Sequence, residues 1–282
     1  MIGRRGATRI VRVLRHRDGA SSRERDAVVV EEPMEIRLSW VGADGERTTD
    51  RVAVTMRTPG DDFDLVAGFL HGEGLVSRPD ELVELTYCSG KKDQQFNVVE
   101  AKLRAGVSFD TERLKRNFYT SSSCGVCGKA SLEAVEVRGC QALDDDDLRV
   151  AAELLPRLPD LLSEGQGAFR RTGGLHAAGL FRAEGECTAV REDVGRHNAV
   201  DKVVGQALLR RRLPAVDEIL VVSGRVSFEI VQKAVMAGVP MLVAVGAPSS
   251  LAVDLATRFH QTLVGFARNG GFNVYSAPER VA

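Results

Sequence analysis

The first half of the chain has short hydrophobic stretches with strand-like alternation, separated by turn signals. Residues 27–41 and 51–57 read as strands, and Asp44-Gly45 between them is typical of a hairpin turn. A helix is predicted to open after Asp61, with its apolar side chains on one face. Further strands are predicted over 82–87 and 96–104. These elements predict a small α+β domain over residues 26–115.

The second half alternates apolar runs with helical periods. Strands are predicted over 177–181, 218–223 and 241–245, with a short strand near residue 273, and helices over 147–163, 198–211, 228–237 and 251–268. Such alternation predicts a layered α/β/α domain over residues 116–282 with a largely parallel sheet. Ligands in folds of this kind sit at the carboxyl ends of the strands.

Composition narrows the class without changing this picture. The chain has 282 residues, 44% of them hydrophobic, and a formal net charge of -1, which gives no case for binding nucleic acid or membranes. The arginine-rich residues 1–25 are predicted to be a flexible tail, although such a tail could contact an acidic partner. No apolar run is long enough to span a membrane, and no apolar export-signal stretch follows Arg4-Arg5. We therefore expect a cytoplasmic protein.

Two of the five cysteines, Cys124 and Cys127, form a Cys-x-x-Cys pair in a Ser- and Gly-rich stretch. The pair has three interpretations: half of a zinc site, a thioredoxin-like redox pair, or a nucleophilic thiol with a neighbour. Closed structural zinc is disfavoured because there is no second pair and the histidines are scattered. The redox interpretation is disfavoured because no strand directly precedes the pair. Cys88, Cys140 and Cys187 stand alone and are expected to be buried or half-buried.

A zinc deaminase site is a further alternative, because His71-Gly-Glu73 precedes the cysteine pair. It is disfavoured because Ser123 occupies the position where that signature has proline. Lys129 and a helix expected near residue 131 favour the thiolate form of Cys124. A thiolate can take sulfur from a persulfide by the chemistry of disulfide exchange. A loop with inert cysteines stays open as the simpler alternative.

Four polar segments contain more arginine, histidine and glycine than packing requires: residues 172–176, 191–198 with Asp201 and Lys202, 223–229 and 266–271. Their backbone amides and cations suit a phosphorylated, heteroaromatic ligand. Neither Gly-x-x-x-x-Gly-Lys-Ser/Thr nor Gly-x-Gly-x-x-Gly is present, which disfavours NTPases and dinucleotide oxidoreductases. The candidate ligand residues are His176, Arg196, His197, Asn198, Ser223, Gly224, Arg225, Phe266, Ala267, Arg268, Asn269, Gly270 and Gly271.

Several of these segments, in this order, resemble the FdhD family of formate dehydrogenase accessory sulfurtransferases. The resemblance runs from about residue 28 to residue 275. Its motifs are Glu32-Pro33, Thr58-Pro59, Gly68-Phe69-Leu70 with Gly74, residues 122–128, Thr172-Gly-Gly-x-His176, residues 191–198, Ser223-Gly-Arg225 with Ser227 and Glu229, and Ala247-Pro248. Two departures are Gly246, where the family commonly has serine, and the arginine-rich start.

The resemblance implies a persulfide carrier. Cys124 would receive sulfur from a cysteine desulfurase, with Cys127 assisting or dispensable. The sulfur would pass to the bis-molybdopterin guanine dinucleotide cofactor that formate dehydrogenase requires, and residues 266–271 would bind that cofactor. The family also implies a fold like that of cytidine deaminases without their zinc, and a homodimer. The alternatives are a cofactor-binding chaperone with incidental cysteines and a zinc hydrolase.

Overall fold

The computed structural model describes residues 6–42, 44–88, 96–107, 142–144 and 147–282. Over this part of the chain it has twelve strands in three sheets and six α-helices, with short 3₁₀ turns at Pro79–Glu81, Leu155–Arg157 and Pro278–Arg280.

The described N-terminal residues begin with a two-stranded hairpin. Strands β1 (Thr8–Arg17) and β2 (Ala20–Val29) pair antiparallel, with Thr8 opposite Val29 and Arg17 opposite Ala20. Asp18 and Gly19 both have positive φ, 49° and 78°, as a two-residue hairpin turn requires. The predicted flexible tail is therefore wrong for residues 8–25. The Asp-Gly signal and the apolar positions of β1 specify a hairpin despite the high arginine content.

A four-stranded sheet follows, formed by β3 (Glu32–Val41), β4 (Arg47–Arg57), β5 (Leu82–Tyr87) and β6 (Val98–Leu103) in the order β4-β3-β6-β5. The pairing of β3 with β6 is parallel and the other two are antiparallel. Helix α1 (Asp62–Gly72) packs on one face. Its Leu65, Val66 and Leu70 are buried against Ile36 and Val99. The strands predicted over 51–57, 82–87 and 96–104 and the helix after Asp61 are confirmed where the structure describes them. The single strand predicted over 27–41 is wrong, because residues 27–29 belong to β2 of the hairpin and only residues 32–41 form β3.

The second sheet has six strands: β7 (His176–Phe181), β8 (Cys187–Asp193), β9 (Ile219–Val222), β10 (Met241–Ala244), β11 (Thr262–Arg268) and β12 (Gly271–Ser276). Their order is β12-β11-β10-β9-β7-β8. Only β9–β10 and β10–β11 are parallel; β7–β8, β7–β9 and β11–β12 are antiparallel. The prediction of a largely parallel sheet is wrong, because both ends of the sheet are hairpins and β7 also runs antiparallel to β9.

Residues 147–282 contain five helices: α2 (Leu158–Glu164), α3 (Gly167–Thr172), α4 (Arg196–Leu209), α5 (Phe228–Met236) and α6 (Ser250–Arg258). Helices α4, α5 and α6 share a core with one face of the six-stranded sheet, while α2 and the turn before it share a core with the other. This confirms the three-layer prediction. The likeness to cytidine deaminases stays a prediction.

Two predicted helices have different bounds in the structure. The helix expected over 147–163 begins at Leu158, because Val150 instead pairs with Val281 as an isolated bridge. The helix expected over 251–268 ends at Arg258, and residues 262–268 form strand β11. A short apolar run is compatible with either a buried helix or a buried strand. In this protein residues 262–264 pair with β10, and the segment therefore forms a strand.

Helices α1 and α4 join the two sheets through an unusually close crossing. A Cβ atom on Gly68 would lie 1.8 Å from the backbone oxygen of Asp201, and one on Gly205 would lie 1.9 Å from that of Asp64. Only glycine fits at either position, so the crossing fixes the small sheet and its helix against the larger layers.

Candidate functional site

The predicted ligand segments meet at the carboxyl ends of β9, β10 and β11. Gly246 donates its backbone N–H to the oxygen of Gly224 at 3.2 Å, and Phe266 donates its N–H to the oxygen of Gly246 at 3.2 Å. The Ser223 hydroxyl accepts the backbone N–H of Ala177 at 2.9 Å, which brings the start of β7 to the same edge. Residues from three separate segments, including His176 and Ser223, are thereby placed together, and His176 reaches this edge because β7 runs antiparallel to β9.

Three helices begin at this edge. Helices α4, α5 and α6 start at Arg196, Phe228 and Ser250. The loops before α5 and α6 are joined by hydrogen bonds from the N–H of Val226 to the Ala247 oxygen, at 3.1 Å, and from the N–H of Ser249 to the Val226 oxygen, at 2.9 Å. Free N–H groups and the positive end of the dipole make a helix N-terminus favourable for anions. Three of them around one edge favour a polyanionic ligand.

Ser227 precedes α5, but its side chain makes no capping hydrogen bond. Its hydroxyl instead lies 2.9 Å from Nε2 of His197, and Glu229 Oε2 lies 3.1 Å from the same nitrogen. Burial, followed by the charges of Arg196, Lys233 and His176, lowers the pKa of His197 to about 3. His197 is therefore a neutral imidazole at pH 7, held between a hydroxyl and a carboxylate. Ser227 and Glu229 were seen in the sequence only as parts of a motif, and their contact with His197 is new.

His176, Arg196 and Arg225 add donors and positive charge. Burial and the nearby Arg196 lower the pKa of His176. A Cβ on Gly224 would lie 3.3 Å from His176 Nδ1 and 3.8 Å from Arg196 Cδ. The absence of a side chain at Gly224 therefore lets the side chains of His176 and Arg196 lie close to the end of β9. Arg196 Nε is buried and has no hydrogen-bond partner among the described residues, while Arg225 is exposed. These groups have donors available for an anion.

Asn198, predicted to contact the ligand, is instead used inside the protein. Its Nδ2 donates to the Met56 oxygen at 2.8 Å and to Asp193 Oδ1 at 3.0 Å, and its Oδ1 accepts from Thr55 Oγ1 at 3.2 Å. Because both N–H donors are occupied, the geometry does not support a ligand role for Asn198. It ties α4 to β4.

Asp201 and Lys202, which the sequence grouped with the same ligand segment, also have internal partners. Lys202 Nζ lies 2.7 Å from Asp193 Oδ2, and Lys233 Nζ lies 2.5 Å from Asp201 Oδ1. All four side chains are buried. The polar segment therefore divides into a structural part, Asn198, Asp201 and Lys202, and a part at the sheet edge. We call the residues at this edge the edge cluster: His176, Arg196, His197, Arg225, Ser227 and Glu229.

The segment 266–271 also divides. Phe266 is 38% exposed at the edge, whereas Ala267 is fully buried in the core between the sheet and α2. Asn269 and Gly270 have φ values of 53° and 75° and form the turn of the β11–β12 hairpin, in which Arg268 pairs with Gly271. Asn-Gly is the preferred dipeptide for such a turn, which accounts for these two residues without a ligand. Arg268 is exposed beside the turn. Its role in binding the ligand stays a prediction.

Comparison with known proteins decides the family. A model of the FdhD/NarQ family matches residues 29–282. The chain belongs to the FdhD/NarQ family. It is 52% identical over 275 residues to a protein of Streptomyces avermitilis named sulfur carrier protein FdhD, covering 96% of this chain and 94% of that protein. A protein of the same name from Sulfolobus acidocaldarius is 40% identical over 97% of this chain and 98% of its own length.

A solved structure is also similar to this FdhD/NarQ chain. It is a formate dehydrogenase accessory protein from Desulfotalea psychrophila, with a TM-score of 0.73 and 25% identity, covering 98% of this chain and all of that one. The family predicted from the motifs is thereby confirmed.

The cysteine pair of this FdhD/NarQ member, Cys124 and Cys127, lies outside the described residues, as does Cys140. Cys88 is half-buried, but Cys187 is exposed on β8, where the sequence predicted burial. Burial raises the pKa of both thiols. The described part of the chain contains no group of three or more His, Cys, Asp or Glu side chains placed to hold a metal ion. In that same part, no helix combines the length and the hydrophobicity needed to cross a membrane.

The zinc deaminase alternative placed His71 in a metal site. The structure buries His71 in α1, where Nδ1 lies 3.0 Å from the Val76 oxygen and Nε2 lies 3.0 Å from the Met236 oxygen. Burial lowers its pKa. Both ring nitrogens face backbone oxygens, which assigns His71 to the packing of α1 against the end of α5.

Proposed function

We propose that this chain is a sulfurtransferase that receives sulfur from a cysteine desulfurase as a persulfide on Cys124 and delivers it to the bis-molybdopterin guanine dinucleotide cofactor of formate dehydrogenase. Membership of a family whose relatives are named sulfur carrier proteins supports the carrier role. The likeness to a formate dehydrogenase accessory protein supports the client. The proposal also places the protein in the cytoplasm. It further makes the protein a homodimer, and analytical ultracentrifugation of the purified chain would test this oligomeric state.

The loading step is a thiol exchange at sulfur. The Cys124 thiolate attacks the terminal sulfur of the desulfurase persulfide, a new S–S bond forms on Cys124, and the desulfurase cysteine leaves as a thiolate. Lys129, five residues after Cys124 in the sequence, is the cation expected to favour the attacking thiolate. Cys127 is expected to assist or to be dispensable.

The observation that carries the ligand part of the proposal is the edge where α4, α5 and α6 begin. A guanine dinucleotide brings diphosphate groups, and these match helix N-termini together with the guanidinium groups of Arg196 and Arg225. The one N–H of the neutral His197 ring faces Glu229, so His197 offers Nδ1 as an acceptor and Glu229 offers its other carboxylate oxygen, both suited to the donors of a heteroaromatic base. The cofactor is the substrate here, and these residues would hold it while sulfur arrives.

Mass spectrometry tests the proposal. After incubation with desulfurase and cysteine, the wild-type chain should gain about 32 Da, the mass of one sulfur in a persulfide. Cys124→Ala should gain nothing while still binding cofactor, and Cys127→Ala should retain most of the gain. Cys187→Ala is the matched control, because this thiol is exposed on β8 and lies outside the predicted loop. Sulfur loading that survives in Cys124→Ala would exclude the assignment.

The alternative function is a chaperone that binds the cofactor without carrying sulfur. The edge cluster favours cofactor binding in both cases, so affinity alone does not separate them. A wild-type chain that binds cofactor but gains no sulfur would support the chaperone. Metal analysis of the purified protein tests the third alternative, a zinc hydrolase.

A further inference from the structure

The β1–β2 hairpin has one face that the rest of the described chain leaves uncovered. Residues two apart on a strand share a face, and the register places Arg12 opposite Arg25 and Leu14 opposite Arg23. Ile10 and Leu14 on this face are 55% and 60% exposed, and the three arginines are exposed as well. We call these five residues the outer face.

The acidic residues of the two strands lie on the opposite face. Arg15 there contacts Glu24 at 2.6 Å and Asp26 at 3.2 Å. By contrast, none of the outer-face arginines forms an ion pair with another residue in the described ranges. Like charges directly opposite each other on paired strands are destabilising, so the Arg12–Arg25 pair costs stability. Packing within the hairpin gives no reason for it.

The base of the hairpin is fixed beside the candidate site. Val30 donates its N–H to the Ala7 oxygen at 2.9 Å, and a Cβ on Gly174 would meet Val29 at 3.2 Å. Helix α3 also packs against β2. Gly174 is two residues before His176 of the edge cluster, so the base of the hairpin that carries the outer face is anchored to the segment leading into that site. The family match begins at residue 29, after most of the hairpin.

We propose that the outer face is a docking surface for a protein whose own surface combines carboxylates with aliphatic side chains. Residues 8–29 contain six arginines and three acidic residues, although the whole chain has a net charge of -1. Single-stranded nucleic acid is usually held by cations interleaved with stacking aromatics, whereas this face interleaves cations with Ile10 and Leu14. Aliphatic side chains need an apolar counterpart, which a protein surface supplies. A face this small suits a transient, electrostatically steered encounter.

The docking proposal rests on the proposed function in one respect, the choice of binding probes. The probes are a purified cysteine desulfurase and a purified formate dehydrogenase that lacks sulfurated cofactor. The test variant is Arg12→Glu/Arg25→Glu, which keeps a like-charged pair at those positions. The matched control is Arg9→Glu/Arg17→Glu, which makes the same change in net charge at exposed positions on the opposite face. Both variants are first checked for an unchanged thermal midpoint.

For one of the two probes, the outer-face variant should weaken the dissociation constant at least about 10-fold at low salt, and the control less than about 2-fold. The wild-type affinity should fall as salt rises from about 50 to about 300 mM, because exposed charge pairs are screened. Leu14→Ser should weaken binding too, whereas Val83→Ser, which alters a 61% exposed side chain on β5, should not. Equal effects of the two charge variants, or no effect on either probe, would refute the docking surface.

Other occupants give distinct outcomes that also overturn the proposal. RNA or anionic vesicles binding through the outer face, with both protein probes unaffected, would replace the protein partner. Self-association that only the outer-face variant abolishes would assign the face to a second copy. Loading of Cys124 by inorganic polysulfide needs no docking, so it should be unchanged in every variant. If the wild-type chain is not loaded by polysulfide either, the proposed function fails, while the binding measurements still decide the docking surface.

Discussion

Two clusters of charged residues lie within a few residues of each other along the chain but differ in how their hydrogen bonds are completed. The first cluster, which we call the joint, connects α4 to β4 and consists of Asp193, Asn198 and Lys202. Asp193 is fully buried there and contacts Lys202 Nζ at 2.7 Å. Asp193 also accepts the backbone N–H of Thr58 at 3.1 Å and that of Gly195 at 2.8 Å. At the edge of the large sheet, Arg196 Nε is buried and has no such partner among the described residues.

The two clusters interleave around Gly195, because Arg196 and His197 directly after it lie at the edge, whereas Asn198, Asp201 and Lys202 further on have internal partners. Before Gly195, Arg191 binds Asp64 through two nitrogens at 3.0 and 2.8 Å, and the Glu192 carboxylate accepts two backbone N–H groups at the start of α3. Residue type does not separate the two groups, but completed hydrogen bonding separates their guanidinium groups: that of Arg191 is paired, whereas Arg196 Nε has no partner among the described residues. Charges with a purely structural role are generally paired inside a protein, so buried donors without a partner mark candidates for ligand binding.

The largest effect is expected on breaking the joint. Lys202→Met leaves the buried Asp193 carboxylate without its cation, which should lower the free energy of unfolding by about 3–5 kcal/mol. Lys102→Met is the matched control, because Lys102 pairs with Glu84 at 2.6 Å on an exposed surface and should cost only about 0–1 kcal/mol. Urea unfolding at pH 7 measures both. Similar losses in the two variants would show that burial of the joint is unimportant.

The glycine crossing should follow in size. Gly205→Ala places a Cβ within 1.9 Å of the Asp64 oxygen, so α1 and α4 must separate, at a cost of about 2–3 kcal/mol. Gly167→Ala in α3 meets no atom within 4 Å and should be neutral or stabilising by up to about 1 kcal/mol. Thermal unfolding of both variants tests this. An unchanged Gly205→Ala protein would mean that the two helices are not in contact as described.

A smaller effect is expected from the titration of His197. Its pKa is lowered to about 3 in the folded state, so the unfolded chain binds the proton more tightly between about pH 6.5 and pH 3. The stabilising contribution is complete above pH 6.5 and is lost as the pH falls. Between pH 7 and pH 5 the loss should be about 1–2 kcal/mol, towards the lower value because the Glu229 carboxylate lies 3.1 Å away.

The variant His197→Gln isolates that contribution. It removes the titrating group, so the unfolding free energy of the variant should fall by about 1–2 kcal/mol less than that of the wild type over the same pH range. Other groups titrate in both proteins and cancel in the difference. Parallel stability curves would show that His197 titrates normally in the folded protein.

The sequence predicted the central α/β units because their signals are local. Strand β9, helix α5 and strand β10 follow one another with clear caps and buried runs, and each lies within about a residue or two of its prediction. The meeting of segments 172–176 and 223–229 depends on β7 running antiparallel to β9, which the sequence did not predict.

What the sequence missed depends on long-range contacts or on competing local signals. The β1–β2 hairpin was hidden by its arginine content, and the apolar run of β11 was equally compatible with a helix. The internal role of Asn198 could not be predicted, because its partners Thr55 and Met56 are more than 140 residues away along the chain. Spacing shows which residues are polar but does not show which of them are already paired.

The smallest effect on stability should accompany a clear effect on binding, and this contrast tests the comparison most directly. Arg225→Ala removes an exposed guanidinium at the edge, so the free energy of unfolding should change by no more than about 0.5 kcal/mol. Affinity for GDP, a fragment of the proposed cofactor, should fall about 10-fold or more, because a charge-assisted hydrogen bond contributes about 1.5–3 kcal/mol. Arg51→Ala, at an exposed position of β4, should change neither quantity. Calorimetric titration with GDP measures the affinity. If Arg225→Ala binds GDP as the wild type does, the available donors at the edge do not mark a phosphate site, and completed hydrogen bonding loses its value for separating the two clusters.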